Sequence, residues 1–226
     1  MDTVSVLIKP ASGRCNLRCK YCFYEDVSGL RSEQDLGLMT EETLEELVRQ
    51  AMELADRRVS FAFQGGEPML RGLAFYEKFM ELEKKYGKPG VLAEHSIQTN
   101  GTLIDEAWVD FFRENRFLVG ISLDGTRSRH DMNRVDVKGK GTWAAVERAL
   151  RLLEKKQVEY NILCVITGAA ARRGQAIYQS LTGLGCRYLQ FIACLDPMEE
   201  ERGQRPFSLT PERYGTFLKT VFDLWY

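Results

Sequence analysis

Short runs dense in β-branched and aromatic residues alternate along the chain with longer stretches whose apolar side chains recur every three or four positions. The short runs are "VSVLIKP" (4–10), "VSFAFQG" (59–65), "HSIQTN" (95–100), "LVGISLDG" (118–125), "YNILCVIT" (160–167) and "YLQFIACL" (188–195). Each has strand length, and most end at Gly, Pro, Asn or Asp. After the first, residues 40–55 place Leu44, Leu47, Val48, Ala51 and Met52 on one helical face. Thr40 stands as N-cap, with two glutamates in the first turn. Further helices are predicted at 71–86, 105–115, 142–157 and 174–184. A last one begins at "TPER" (210–213), with Thr210 as cap and Pro211 in the first helical position. It turns Tyr214, Phe217, Leu218, Val221 and Trp225 to one side.

Six β/α units in strict alternation predict an α/β fold with a parallel sheet and right-handed crossovers. Several strands are apolar at nearly every residue, the pattern of a strand covered on both faces. No glycine-rich dinucleotide fingerprint follows the first strand, which counts against an open doubly wound sheet. A closed eightfold barrel takes roughly 250 residues, about two units more than this chain supplies. The prediction is therefore an incomplete (β/α)6 TIM-like barrel, laterally open. Two long irregular segments, 11–39 and 196–209, exceed what a compact domain usually carries without a use for them.

Composition narrows the partners. Lys plus Arg is 31 and Asp plus Glu is 32, giving a net charge of -1, so there is no basic footprint for nucleic acid. The longest apolar run, around "NILCVITGAAA", is too short to span a bilayer, and "MDTVSVLIKPAS" lacks the features of an export signal. Neither a nucleic-acid nor a membrane partner is expected. Three of the six cysteines fall within eight residues, a spacing that suits reduced thiols in a cytoplasmic setting better than disulfides. Cys164 and Cys186 lie among apolar residues and read as small core side chains.

The unusual residues gather where the strands end. The cysteine loop follows strand one. "QGGEP" (64–68), "QTNGT" (98–102), "SLDG" (122–125) and "CLDP" (194–197) close strands two, three, four and six. In a parallel barrel all of these lie on the C-terminal rim, where βα loops build active sites. The cysteine loop, "CNLRCKYCFY", sets thiols at 15, 19 and 22. Zinc needs a fourth ligand; His95 reads as the start of strand three, on the opposite rim, while His130 could approach, so zinc stays open. An iron–sulfur ferredoxin site supplies four thiolates. Three thiolates on a 4Fe–4S cluster leave one iron open to a small molecule.

This spacing, C-x3-C-x2-C followed by an aromatic, resembles the radical S-adenosylmethionine (radical SAM) enzymes. The resemblance implies one 4Fe–4S cluster on Cys15, Cys19 and Cys22, whose open iron chelates the amino and carboxylate groups of SAM. It implies reductive cleavage of SAM to a 5′-deoxyadenosyl radical that abstracts hydrogen from substrate. It also implies a set of SAM contacts. The carbonyls of Gly65 and Gly66 would meet the amino group, with Glu67 beside them. Arg134 would offer its fork to the carboxylate, Ser122 would bind the carboxylate or ribose, and Tyr21 and Leu195 would touch adenine through backbone. Read singly, these residues have plainer explanations: a tight turn, a solvated arginine, a strand-end hydroxyl, apolar packing. His130 reads as a loop histidine with a local hydrogen bond.

A closer resemblance runs from residue 4 to the end. "LIKPAS", "CKYCFY", "FAFQGGEP", "QTNGTLID", "VGISLDG", "NILCVIT" and "LQFIACLDP" are together similar to the anaerobic sulfatase-maturating enzymes. This implies oxidation of a Cys or Ser in a peptide segment of a sulfatase to Cα-formylglycine, and an electron donor such as flavodoxin or ferredoxin. It sets Tyr24, Gln64 and Gln98 on the substrate side of the pocket, although the glutamines could equally bond across loops. That family continues into a cysteine-rich region with two auxiliary clusters and an aspartate base. Residues 1–226 accordingly read as the radical SAM domain alone, with no catalytic base among them. The alternatives are a radical SAM peptide modifier forming thioether or carbon–carbon crosslinks, and a metal- or cluster-binding protein without catalysis.

Overall fold

The strands form where the β-rich runs lie. In chain order the computed structural model, which describes residues 1–226, consists of β1 (Thr3–Ile8), α1 (Phe23–Gly29), α2 (Glu41–Leu54), β2 (Arg58–Phe63), α3 (Leu73–Tyr86), β3 (Leu92–Thr99), α4 (Glu106–Glu114), β4 (Leu118–Ser122), α5 (Arg127–Asn133), α6 (Trp143–Lys155), β5 (Tyr160–Ile166), α7 (Gly174–Gly183), β6 (Leu189–Ala193) and α8 (Pro211–Trp225). The six strands pair in sequence order, all parallel, and β6 does not return to β1. The sheet is thus an open half-barrel with its helices outside, an incomplete TIM-like α/β barrel. β1 and β6 flank the lateral gap.

Capping fixes the helix starts. Thr40 accepts from the Thr43 amide at 3.2 Å, Asp105 from Trp108 at 3.0 Å and Thr210 from Arg213 at 3.4 Å. The outer strand faces and inner helix faces share one core. In it Phe61, Phe63, Tyr76, Phe79, Phe112 and Phe117 are each at most 1 % exposed. Phe63 packs on Phe79 edge-on at 5.0 Å and on Tyr76 at 4.9 Å, geometries aromatic rings favour. Cys164 and Cys186 are buried in this core.

The strands are not covered equally on both faces, as the near-continuous apolar runs suggested. β5 alternates: Ile162, Cys164 and Ile166 are buried under the helices, while Leu163 and Val165 face the barrel interior, where an open half-barrel leaves room. At the β1 edge Leu7 remains 56 % exposed. The periodicity of α8 also misled. Phe217 and Val221 are buried, but Leu218 and Trp225 on the same expected stripe face outward, because α8 packs on α7 with only part of that side. His95 sits in the middle of β3 rather than at its start, stacked on Phe117. Two short helices, α1 and α5, lie inside segments read as loops; α1 carries Tyr24, and α5 is capped at its C-terminus by Arg134.

Candidate active site

The cysteine loop leaves β1 and is held at both ends of its course. The amide of Arg18 donates to Val135 at 2.7 Å and that of Lys20 to Asn133 at 3.0 Å, so the loop pairs with the segment after α5. Buried Leu17 anchors the same pairing. Asn16 bridges to the end of β3, accepting from Asn100 at 2.8 Å and donating to Thr102 at 2.9 Å. Cys22 then occupies the N-cap position of α1. These ties bring the thiols of Cys15, Cys19 and Cys22 around the mouth of one cavity of about 380 Å³ at the C-terminal rim.

The three thiols are unpaired, and no three side chains of His, Cys, Asp or Glu converge closely enough to hold a single ion. A zinc centre would need such convergence, whereas a cubane cluster holds its thiolates apart on separate irons. His130 offers no ligand either. It is wholly buried in α5 rather than in a loop, and both ring nitrogens are engaged, by the Asp124 amide at 3.3 Å and by Thr142 Oγ1 at 3.0 Å. Burial pushes the Cys19 thiol up to about 11 against the pull of Arg134, and raises Cys15 as well. Cys15 and Cys19 as free thiols are therefore protonated, and it takes the positive charge of bound iron to hold them as thiolates. The donor set fits a 4Fe–4S cluster with one open iron.

The glycine pair ending β2 comes against this loop. Gly65 and Gly66 have φ of +103° and +59°, and a Cβ on Gly66 would stand 2.3 Å from the Arg14 carbonyl oxygen. Both glycines line the cavity. Glu67 does not, contrary to the expectation of a SAM contact. It is 0 % exposed and lies behind the wall. Its carboxylate accepts from the amides of Met69 at 3.0 Å and Asn100 at 2.8 Å, and from the Thr99 hydroxyl at 2.8 Å. It locks the glycine turn to β3, and burial, only partly offset by these bonds, pushes it up to about 7.

Across the cavity, Arg134 is 7 % exposed, which excludes the solvated-charge explanation. Its Nε lies 3.1 Å from Asp124 Oδ2 but out of line for a hydrogen bond, leaving a buried donor without an acceptor. Burial opposes the guanidinium charge, yet Asp124, Tyr21 and Cys19 outweigh it, and the group is held cationic. Tyr21 donates its hydroxyl to Asp124 and lies under the guanidinium, 5.5 Å from its ring centroid. Ser122 Oγ accepts from Gln98 Nε2 at 3.1 Å, so its own proton is free to point into the cavity. Gly120, the register partner of Gln98 on β4, lacks the Cβ that would collide with that side chain. Gln64 Nε2 donates to the Tyr24 hydroxyl at 2.6 Å, and Lys9 Nζ stands 4.9 Å above the Tyr24 ring. A buried cationic fork with an unsatisfied Nε, beside a hydroxyl whose proton is free, suits a carboxylate ligand, the group through which SAM would be held.

Tyr21, Tyr24, Gln64, Gly65, Gly66, Gln98, Ser122, Arg134 and Leu195 all line this cavity with the three cysteines. Sequence reading missed Asn100, which was inside a quoted rim motif, and the apolar wall of Leu163, Val165, Ile192 and Cys194. The period-two alternation of strands five and six would have found that wall. Asp124 was likewise visible in "SLDG" but had no assigned role.

Known proteins place this geometry. A cysteine-type anaerobic sulfatase-maturating enzyme of Clostridium perfringens (strain 13 / Type A) is 50 % identical over 226 residues, covering 100 % of this chain and 61 % of the relative. A serine-type anaerobic sulfatase-maturating enzyme of Klebsiella aerogenes is 37 % identical over 225 residues, covering 97 % of this chain and 53 % of its own length. Among solved structures, native anSMEcpe with bound AdoMet and Cp18Cys peptide superposes with a TM-score of 0.93 at 48 % identity, over 99 % of this chain and 60 % of that one. The chain thus spans about three-fifths of the length of the Clostridium perfringens relative and of that solved structure. The model of the radical SAM superfamily matches residues 10–170, which hold the three cysteines, the glycine turn and Arg134, and the chain belongs to that superfamily.

Proposed function

We propose that this chain is the SAM-cleaving domain of an anaerobic sulfatase-maturating enzyme, acting on a Cys or Ser in a peptide segment of a sulfatase. The observation that carries the reading is the convergence, around one rim cavity, of three unpaired thiols, a left-handed glycine pair and a buried arginine with an unpaired donor. A 4Fe–4S cluster held by Cys15, Cys19 and Cys22 supplies, when bound, the electron that cleaves SAM to a 5′-deoxyadenosyl radical. Arg134 and Ser122 bind the carboxylate of SAM, while the close backbone at Gly65 and Gly66 accepts from its amino group. Tyr21 and Leu195 border the adenine, and Leu163, Val165 and Ile192 keep water from the reacting carbon. Tyr24, Gln64 and Gln98 orient the peptide, which enters through the lateral gap between β1 and β6. The electron comes from a flavodoxin- or ferredoxin-type donor. Residues 1–226 form one radical SAM domain, and six unpaired cysteines fit a cytoplasmic setting. No helix is long and apolar enough to cross a membrane.

Anaerobically reconstituted protein, reduced in the presence of SAM and a peptide containing Cys-x-Pro-x-Arg or its Ser counterpart, tests this. The expected products are 5′-deoxyadenosine and deuterium transfer into it from peptide labelled at the Cβ of the target residue. Protein that carries iron and sulfide but neither binds nor cleaves SAM would refute the reading in favour of a non-catalytic cluster protein.

A further inference from the structure

Arg134 closes, through an ion pair, a ring of buried hydrogen bonds whose directions follow atom by atom. The Asp124 amide can only donate, so His130 Nδ1, 3.3 Å away, is the acceptor. In a neutral ring Nε2 then carries the proton and donates it to Thr142 Oγ1 at 3.0 Å. The Thr142 hydroxyl passes its own proton to the Arg134 carbonyl at 2.9 Å. The Arg134 amide is bound too, donating to the His130 carbonyl at 2.7 Å. Its guanidinium comes back to Asp124 as an ion pair rather than a hydrogen bond, Nε lying 3.1 Å from the carboxylate of the residue whose amide began the ring. His130, Thr142, Arg134 and Asp124 are all buried.

Two details argue that this ring has a purpose beyond packing. Thr142 occupies the N-cap position of α6, where a threonine ordinarily accepts from the helix's own amides, yet it makes no capping bond. Asp131 serves the first amide instead, accepting from Trp143 at 2.8 Å. The hydroxyl has been diverted to Arg134. Arg134 itself ends α5 with non-helical φ and ψ of -100° and 88°; its amide still bonds back to His130, and its carbonyl, turned out of the helix, is held by Thr142.

We infer that His130 and Thr142 are positioning residues that fix the backbone of Arg134 and, through Asp124, aim its guanidinium at the cavity. This rests on Arg134 being a partner of the SAM carboxylate. The ring works only with neutral His130, because a proton on Nδ1 would face the Asp124 amide. The charged groups around the imidazole are Asp124 at the β4 rim and Asp131 and Arg134 of its own helical segment. α6 contributes only Thr142 and the edge-on Trp143 ring. Burial, with Arg134 adding to it, pushes His130 down to about 4, which keeps the ring neutral at physiological pH.

The test compares Thr142→Val, Thr142→Ser and Arg134→Ala in reconstituted protein, reading SAM affinity beside iron and sulfide content. Thr142→Val is expected to keep its cluster and weaken SAM binding on the order of tenfold, since it orphans a buried donor and a carbonyl. Thr142→Ser, which keeps the hydroxyl, restores affinity. Wild-type affinity in Thr142→Val, with weak binding in Arg134→Ala, overturns the positioning role alone. Wild-type affinity in Arg134→Ala removes the SAM–arginine reading and the proposal with it. Should Thr142→Val fail to fold, nitrogen-15 NMR of the unmutated chain decides, because His95 and His130 are its only histidines. His130 is expected as the Nε2–H tautomer, unprotonated down to about pH 5; titration near pH 6.5, or an Nδ1–H tautomer, would end the proposal.

Discussion

Replacing Glu67 by Gln should change stability by an amount that depends on pH. The Glu67 carboxyl is fully buried and sits at about 7 in the folded protein, against about 4.5 in an unfolded chain. A group raised in this way binds more protons folded than unfolded, so its contribution is fully favourable below pH 4.5 and is lost as pH rises through 7. Integrating between those values, the ionisation penalty grows from about 1 kcal/mol at pH 5 to about 3 kcal/mol at pH 8. Gln cannot ionise and escapes it. Gln also sets an NH2 group against one of the three donors that Glu67 accepts, which costs about 1–3 kcal/mol at every pH. That second term, and the titration of every other group, drops out when the stability difference between the two proteins is compared across pH. Urea unfolding at pH 5 and pH 8 should therefore show Glu67→Gln gaining about 2 kcal/mol on the parent protein as pH rises. A difference that stays constant within about 0.5 kcal/mol would refute the reasoning. It would mean that the donors from Met69, Thr99 and Asn100 overcome desolvation and keep Glu67 ionised throughout.

Arg134→Ala should weaken SAM binding by about 1.5–3 kcal/mol, read by titrating the reduced cluster with SAM under electron paramagnetic resonance; unchanged affinity removes Arg134 from the SAM site. Gly66→Ala should lose most of its cluster, because the new Cβ meets the Arg14 carbonyl at 2.3 Å in a left-handed backbone, beside Cys15. Full iron and sulfide content in that variant would show that the glycine turn does not brace the cysteine loop. Reconstitution should give iron for one cluster in the parent protein and in Cys186→Ala, and none in Cys19→Ala. Iron retained by Cys19→Ala, or stoichiometric zinc in the parent, would contradict the assignment of the three thiols.

The order of strands and helices was legible because it rests on local rules. Strand runs, helical stripes and the caps Thr40 and Thr210 act within a few residues, and parallel β/α alternation leaves few topologies. The position of the site followed from the same alternation, which sends every strand-end motif to one rim. What a local pattern cannot specify is where a side chain finds its partner. Tyr21 meets Asp124 from 103 residues away, and Asn16 meets Asn100 from 84. Glu67 looked like a ligand contact because it stands in a motif at the rim. Only the fold turns it behind the wall, where three donors await it. His130 looked like a loop residue because helix α5 is too short for a periodic signal to appear. Periodicity named the stripe of α8, but which part of it is covered depends on α7, and so Phe217 is buried while Trp225 is not. The sequence by itself determined the elements, the rim and the three thiols. Burial, pairing and aim belonged to the tertiary structure, because each depends on groups that only the folded sheet brings within reach.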